Sequence, residues 1–328
     1  MTPGLAIIFA ILSGVAFAVM GLGYKLAERW HSRTLPFAIV FMSAAGVISL
    51  GIALLQPTAW HDWRLWAMGS ATGLLVLPCI MLVVRTFRLG SAAIAWTVLN
   101  LSLLIPILMA SFLLKQPLLP IDAVSLLAFA LMLLAFARGM SAEEDRQPSG
   151  NLPKYLTLLT ILYVGNGLVQ CLQQLEGTLL GGGSSGGYSV IFFGTGALLG
   201  SLLLWRTEGR LTFAAGEIKA GLLAGACSAT GVVCFLCALG RLPSIVAFPI
   251  SQGISLLGGV VLTAGLFRER LNLLKVFGLA LGVVVLCVAT RREDLNRRLV
   301  PATSTGSAYH GQISPAQSAE RPGRHGVD

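Results

Sequence analysis

Residues 88–124 read RLGSAAIAWTVLNLSLLIPILMASFLLKQPLLPIDAV, and residues 241–277 read RLPSIVAFPISQGISLLGGVVLTAGLFRERLNLLKVF. The two stretches lie over each other without a gap at one constant shift of 153 residues. Arg88, Leu89 and Ser91 fall on Arg241, Leu242 and Ser244, and Ser102-Leu103-Leu104 falls on Ser255-Leu256-Leu257. Lys115 falls on Arg268 and Leu118 on Leu271. Both stretches are too apolar for a soluble domain. A duplicated membrane unit is the simplest reading, and many secondary transporters are built from two repeats around a site near the bilayer midplane.

The rest of the chain agrees. Hydrophobic residues make up 55%, charged residues 11%, and the mean hydropathy is +0.80, whereas about a quarter of a soluble protein is charged. The 38 glycines suit close helix packing in lipid. Apolar runs near the ~20 residues that cross a bilayer as helix recur at 4–22, 35–55, 65–84, 92–114, 118–136, 156–175, 188–205, 220–239, 245–267 and 273–289. None shows the period-two alternation of a barrel strand. The expected fold is therefore all-α: a polytopic membrane protein of ten transmembrane helices. Five spans in each half is an odd number, so the second repeat enters from the opposite face and the repeats are inverted.

The expected organisation is a first repeat over residues 1–140, a linker over 141–153, a second repeat over 154–290 and a disordered tail over 291–328. The linker holds Glu143-Glu144-Asp145 and Pro148-Ser149-Gly150. Pro, Ser, Thr, Gly and Gln dominate the tail, which has too few apolar residues to form a core. The first run lacks a positive leader, so it reads as a retained span rather than a cleaved signal.

The formal charge of +9 raises the question of nucleic acid, but the 23 Lys and Arg residues are scattered through loops and tail and form no basic face. Lipid head groups are the expected contacts, with no nucleic-acid partner. Among the loops, the even-numbered ones carry only Arg64, Lys115 and Arg241. The odd-numbered ones carry most of the rest, which by the positive-inside rule puts the N-terminus outside. Arg291, Arg292, Arg297 and Arg298, directly after the last span, argue the other way.

Little in the chain suggests catalysis. Cys234 and Cys237 lie inside an apolar span and read as small packing residues rather than a redox pair. No apolar run contains a histidine, so no metal is expected. The cluster Gly181-Gly182-Gly183-Ser184-Ser185-Gly186-Gly187 has no Gly-Lys-Ser/Thr ending and reads as slack before the seventh span. No enzymatic activity and no cofactor are expected.

Polar residues inside the spans are more informative, because each must find a partner or water within the bilayer. Tyr163, Asn166, Gln170 and Gln174 recur at steps of three and four, along one helical face. They read as a cavity lining, with interhelical bonding as the plain alternative. Trp96, Thr97, Asn100 and Ser102 cluster before Pro106, and Ser251, Gln252 and Ser255 cluster before Gly258-Gly259. The overlay puts Pro106 on Gly259, and Pro249 adds a further break. Proline removes a helix hydrogen bond and Gly-Gly loosens the same ladder, so both helices are expected to be interrupted at one depth. Interrupted segments at matching places in two repeats point to a transport site. The candidate substrate-binding residues are thus Trp96, Asn100, Tyr163, Asn166, Gln170, Ser251, Gln252 and Ser255. The candidate hinges are Pro106, Pro249, Gly258 and Gly259.

No run has a central carboxylate; Glu176 falls just past the sixth. A proton-driven pump for lipophilic cations is disfavoured on that ground.

Arg-Leu-x-Ser at the head of a span, a proline or glycine break, Arg268-Glu269 followed by Leu271, and a closing helix with Gly278 and Gly282 together resemble the end of an EamA unit. Two units in tandem, over about residues 5–290, resemble the ten-helix drug/metabolite transporter superfamily. The first repeat departs from it with Lys115-Gln116 in place of a Gly-Glu type pair. The resemblance implies a cavity lined by the first, third, fourth, sixth, eighth and ninth helices, with the fifth and tenth at the periphery. It also implies an inner (plasma) membrane location with both termini in the cytoplasm, against the loop charges. The expected function is a secondary transporter that moves a small polar metabolite, such as an amino acid or nucleoside, by alternating access. A flippase for a lipid-linked head group and a non-transporting membrane scaffold or sensor are the rivals.

Overall fold

The computed structural model describes residues 3–56, 58, 60–89, 92–116, 119–141, 152–267 and 273–291. Their regular structure is entirely helical: α1 (Pro3–Arg29), α2 (Thr34–Leu54), α3 (Trp63–Leu89), α4 (Ala92–Leu101), α5 (Leu104–Phe112), α6 (Pro120–Ser141), α7 (Leu152–Leu179), α8 (Ser185–Glu208), α9 (Ala215–Leu239), α10 (Ser244–Phe267) and α11 (Leu273–Thr290). A helix satisfies its own backbone polar groups, which is what an apolar run needs where no water is available. Six of these helices, α1, α2, α3, α7, α8 and α9, are long and apolar enough to cross a membrane. That is the make-up of a multi-pass membrane protein. Most of the expected linker (142–151) and nearly all of the expected tail (292–328) lie outside the described residues.

The surface is apolar and much of the polarity is inside. Leu5, Ile8, Leu12 and Val15 are exposed along one face of α1, as are Leu127, Leu131 and Leu134 on α6 and Leu198 and Leu202 on α8. Asn100, Gln170, Gln174 and Glu176 are buried. Exposed tryptophans stand near both ends of the bundle, Trp30 and Trp205 at one and Trp60, Trp63 and Trp66 at the other. Such rings favour the membrane–water boundary, where an apolar body and a polar N–H are both accommodated.

The two halves interlock rather than forming separate cores. α1 packs on α9 and α10, while α7 packs on α3 and on α4 with α5. α2 packs on α8 and α9, α8 on α2 and α3, and α6 on α11. Exchanging α1, α2, α3, α4 with α5, and α6 for α7, α8, α9, α10 and α11 returns these same pairings. Small residues bring the backbones together: a Cβ on Gly14 would lie 2.6 Å from the Ser251 carbonyl oxygen, and one on Gly23 would lie 2.7 Å from the Ala224 Cβ.

Loop contacts tie the halves at both ends. At one, Arg33 Nε donates to Glu217 Oε1 at 2.9 Å and Arg33 Nη1 to Glu208 Oε2 at 2.8 Å. At the other, Gln56 Oε1 accepts from the Gly186 N–H at 2.9 Å and Gln116 Oε1 from the Ser244 N–H at 3.2 Å.

The fourth apolar run is two helices, broken at Ser102–Leu103. Pro106 has no N–H to offer the Ser102 carbonyl four residues back, so that carbonyl accepts instead from Ile105 at 3.0 Å in a tighter turn. The matching interruption in the ninth run is not there: α10 continues through Pro249, Gly258 and Gly259. Glycines keep their N–H groups, so the ladder persists, and Gly258 instead admits α1, its Cβ position lying 2.8 Å from the Ala18 Cβ. The glycine cluster before α8 is also not slack. Gly181 and Gly182 adopt φ of +65° and +68°, and a Cβ on Gly182 would lie 2.7 Å from the Leu236 carbonyl oxygen. The cluster is a tight turn packed on the end of α9.

Candidate functional site: a cavity between the halves

A cavity of ≈ 150 Å³ sits at mid-length of the helices, walled by α1, α2, α3, α4, α7, α8, α9 and α10. At the roughly 30 Å³ that a water takes up in the liquid, it has room for about five waters. Asn100, Asn166, Gln170, Gln252 and Ser255 all contribute to its wall. Five side chains chosen from three distant stretches of sequence therefore meet around one space.

The repeat shift continues into this wall. At 153 residues it pairs Phe17 with Gln170, Met20 with Gln173, Cys79 with Val232 and Leu99 with Gln252, and all of these line the cavity. The halves thus face the space in register but with different chemistry. The second half supplies the carboxamides where the first supplies Phe17, Met20 and Leu99.

The polar side is built around the helix break. Ser102 Oγ donates its single proton to the Leu99 carbonyl at 2.6 Å. Asn166 Nδ2 donates to Ser102 Oγ at 2.7 Å and to the Leu99 carbonyl at 3.2 Å, and Gln170 Nε2 donates to Ser102 Oγ at 3.2 Å. Because the serine proton is already committed, both amides must present N–H to it. Gln170 Oε1 is left buried with no hydrogen-bond partner among the described residues. Asn166 and Gln170 therefore both brace the break and border the cavity.

Three candidates are placed elsewhere or not described. Ser251 Oγ bonds Ser13 Oγ at 2.9 Å, buried between α10 and α1. Tyr163 is partly buried and absent from the wall. The Trp96 side chain lies outside the described residues, although its backbone belongs to α4. Gln174, also on the stripe, is wholly buried away from the cavity, with neither amide atom partnered among the described residues. At 3.6 residues per turn, Tyr163 and Gln174 fall about 60–80° to one side of Asn166, whereas Gln173 falls within about 20° on the other side. Gln173 takes the wall position instead.

Sequence reasoning missed Tyr24, Ser228 and the aromatic face. Phe41, Phe192, Phe193 and Phe235 line the cavity. Phe192 and Phe193 stack at 4.1 Å between centroids, and Phe41 meets Phe193 edge-on at 6.3 Å. Phenylalanine in an apolar span carries no mark that separates a cavity wall from core. Tyr24 sat beyond the expected end of the first span, which α1 exceeds by nearly two turns.

One carboxylate reading is corrected. α7 runs on to Leu179, so Glu176 lies inside it, 0% exposed, with neither oxygen partnered among the described residues. The helix is stopped by the Gly181–Gly182 turn, not where the apolar run thins. Glu176 sits in the last turn of α7 and does not line the cavity, so the expectation that no span holds a central carboxylate is unaffected.

A scan against known protein families finds no match, and a search of characterised proteins finds none. The chain is similar to a solved structure described only as the crystal structure of a protein, with a TM-score of 0.67 at 15% identity. The likeness covers 90% of this chain and 98% of the other. At that identity it shows a shared fold alone.

Proposed function

We propose that this protein is a secondary transporter that carries a small polar metabolite across a membrane by alternating access. The observation that carries the reading is the cavity: it lies at mid-length, both halves face it in register, and carboxamides line it within an otherwise apolar bundle. The ten-span, two-repeat inverted topology is part of the proposal, supported by the helix pairings that survive exchange of the halves. Membership of the drug/metabolite transporter superfamily rests on the EamA-like ends of the repeats. The inner (plasma) membrane and cytoplasmic termini follow from that resemblance. With no nucleotide-binding loop in the sequence, a gradient supplies the drive.

A cavity of this size would take a small solute, whereas a lipid-linked head group would need it open sideways to lipid for the tails. Purified protein in liposomes tests this. Uptake of a water-soluble solute that depends on the protein supports a carrier, whereas translocation of a labelled lipid alone supports a flippase. Neither activity would leave the scaffold reading.

A further inference from the structure

The cavity is not symmetric along the bundle. At the shift of 153 residues that relates the halves, Tyr24 of α1 falls on Gly177 of α7, and Val83 of α3 falls on Leu236 of α9. Tyr24 and Val83 line the cavity, whereas Gly177 and Leu236 do not. The space therefore runs on between α1 and α3 toward the end of the bundle held by Arg33, and stops short between α7 and α9 at the other. The helix packing differs in the same sense: α7 packs on α9, whereas among the described residues α1 does not pack on α3.

Glycine makes the closure. A Cβ on Gly177 would lie 2.6 Å from the Leu239 Cβ, so α7 reaches α9 only because position 177 has no side chain. Just beyond α7 the chain turns through Gly181 and Gly182, at φ of +65° and +68°, a left-handed pair that glycine enters without strain. A Cβ on Gly182 would lie 2.7 Å from the Leu236 carbonyl oxygen, and a Cβ on Gly240 would collide with the Gly181 carbonyl oxygen. The turn is thus seated on the last turn of α9.

This seal buries polar groups without partnering them. Gln174 and Glu176 lie on either side of Gly177 around α7. Both are 0% exposed, and neither the two amide atoms nor the two carboxyl oxygens have a partner among the described residues. An unmet buried polar group is costly, and contact with water removes the cost. A permanent seal gains nothing from such groups, whereas a seal that opens hydrates them in its other state.

We infer that the α7–α9 end is the closed gate of the carrier. Opening parts Gly177 and the Gly181–Gly182 turn from Leu236 and Leu239 and admits water to Gln174 and Glu176. By the relation between the halves, the same step closes α1 on α3 over Met20 and Tyr24. The inference rests on the alternating-access reading and names the parts that alternate.

Two single-cysteine reporters, Gln174→Cys and Met20→Cys, test it in a background with all six native cysteines replaced. The rate of labelling by a water-soluble methanethiosulfonate is measured for each in the purified full-length protein in detergent. Met20 is partly exposed on the cavity wall and Gln174 is sealed, so Met20→Cys is expected to label faster by about tenfold or more. Gly177→Leu wedges α7 from α9, and with it Gln174→Cys is expected to speed up by about tenfold while Met20→Cys slows by about threefold. Gly182→Ala, a smaller obstacle at the turn, shifts both rates in the same directions and serves if Gly177→Leu does not fold. Equal rates at the two reporters without a wedge, a wedge that leaves Gln174→Cys unchanged, or a wedge that speeds both together, the sign of a loosened bundle, overturns the inference. Reciprocal rates in a protein that carries no solute in liposomes would count against transport and leave the gate standing, while flux without reciprocal rates would do the reverse.

Discussion

Asn166 Nδ2 lies 2.7 Å from Ser102 Oγ and 3.2 Å from the Leu99 carbonyl, so a side chain of α7 closes the hydrogen-bond gap where α4 stops. The polar groups at the cavity therefore divide into those that hold the bundle and those that do not, and mutation separates them.

Asn166→Ala removes the donor to a broken helix and leaves the Leu99 carbonyl to Ser102 alone. It is expected to cost about 1–2 kcal/mol of stability, toward the upper end for polar contacts between membrane helices. Gln252→Ala removes a half-buried wall amide and is expected to change stability by less than about 0.5 kcal/mol while lowering flux about five- to tenfold. Paired thermal-melt and liposome-flux measurements check the split; the reverse pattern would contradict the assignment.

Glu176 is a buried carboxyl with no partner among the described residues, a costly arrangement of the kind found where function requires it. Glu176→Gln is expected to raise Tm by a few degrees and to slow transport. A variant that melts lower and transports normally would show that the carboxyl is structural.

Arg33 and Glu217 close one end of the bundle through hydrogen bonds of 2.9 and 3.2 Å, and Glu217 also accepts from the Ala214 and Arg33 backbone N–H groups. Arg33→Ala and Glu217→Gln should each lower Tm, and the double variant should lose less than their sum. Strict additivity in the cycle would mean that the pair does not interact in solution.

Gly14 faces the Ser251 carbonyl so closely that a Cβ would lie 2.6 Å from it. Gly14→Ala must push α1 from α10 and break the Ser13–Ser251 bond, for an expected loss of about 1–3 kcal/mol. A melt indistinguishable from wild type would contradict the close packing.

Much of this site was legible because polarity is conspicuous in an apolar run. Asn100, Asn166, Gln170, Gln252 and Ser255 stood out for that reason, and all reach the cavity. The break at Ser102 was legible from Pro106, four residues on, because the missing N–H has one definite victim. Gly258 and Gly259 carried no such information: a glycine reads the same whether it loosens a helix or lets a neighbour approach. Steps of three and four put Gln174 on the stripe and pass over Gln173, because they fix a stripe but not its phase against the partner helices. The aromatic face was invisible for the same reason that Phe192 and Phe248 look alike in sequence, although only the first reaches the cavity.

The central claim is a cavity that opens to each side of the membrane in turn, and its most direct test is the accessibility of position 252. In a background with all six native cysteines replaced, Gln252→Cys is exposed to a membrane-impermeant thiol reagent in right-side-out and in inside-out vesicles. The account predicts labelling from both faces, slowed from each by a bound solute. Labelling from one face only, or from neither, would contradict it.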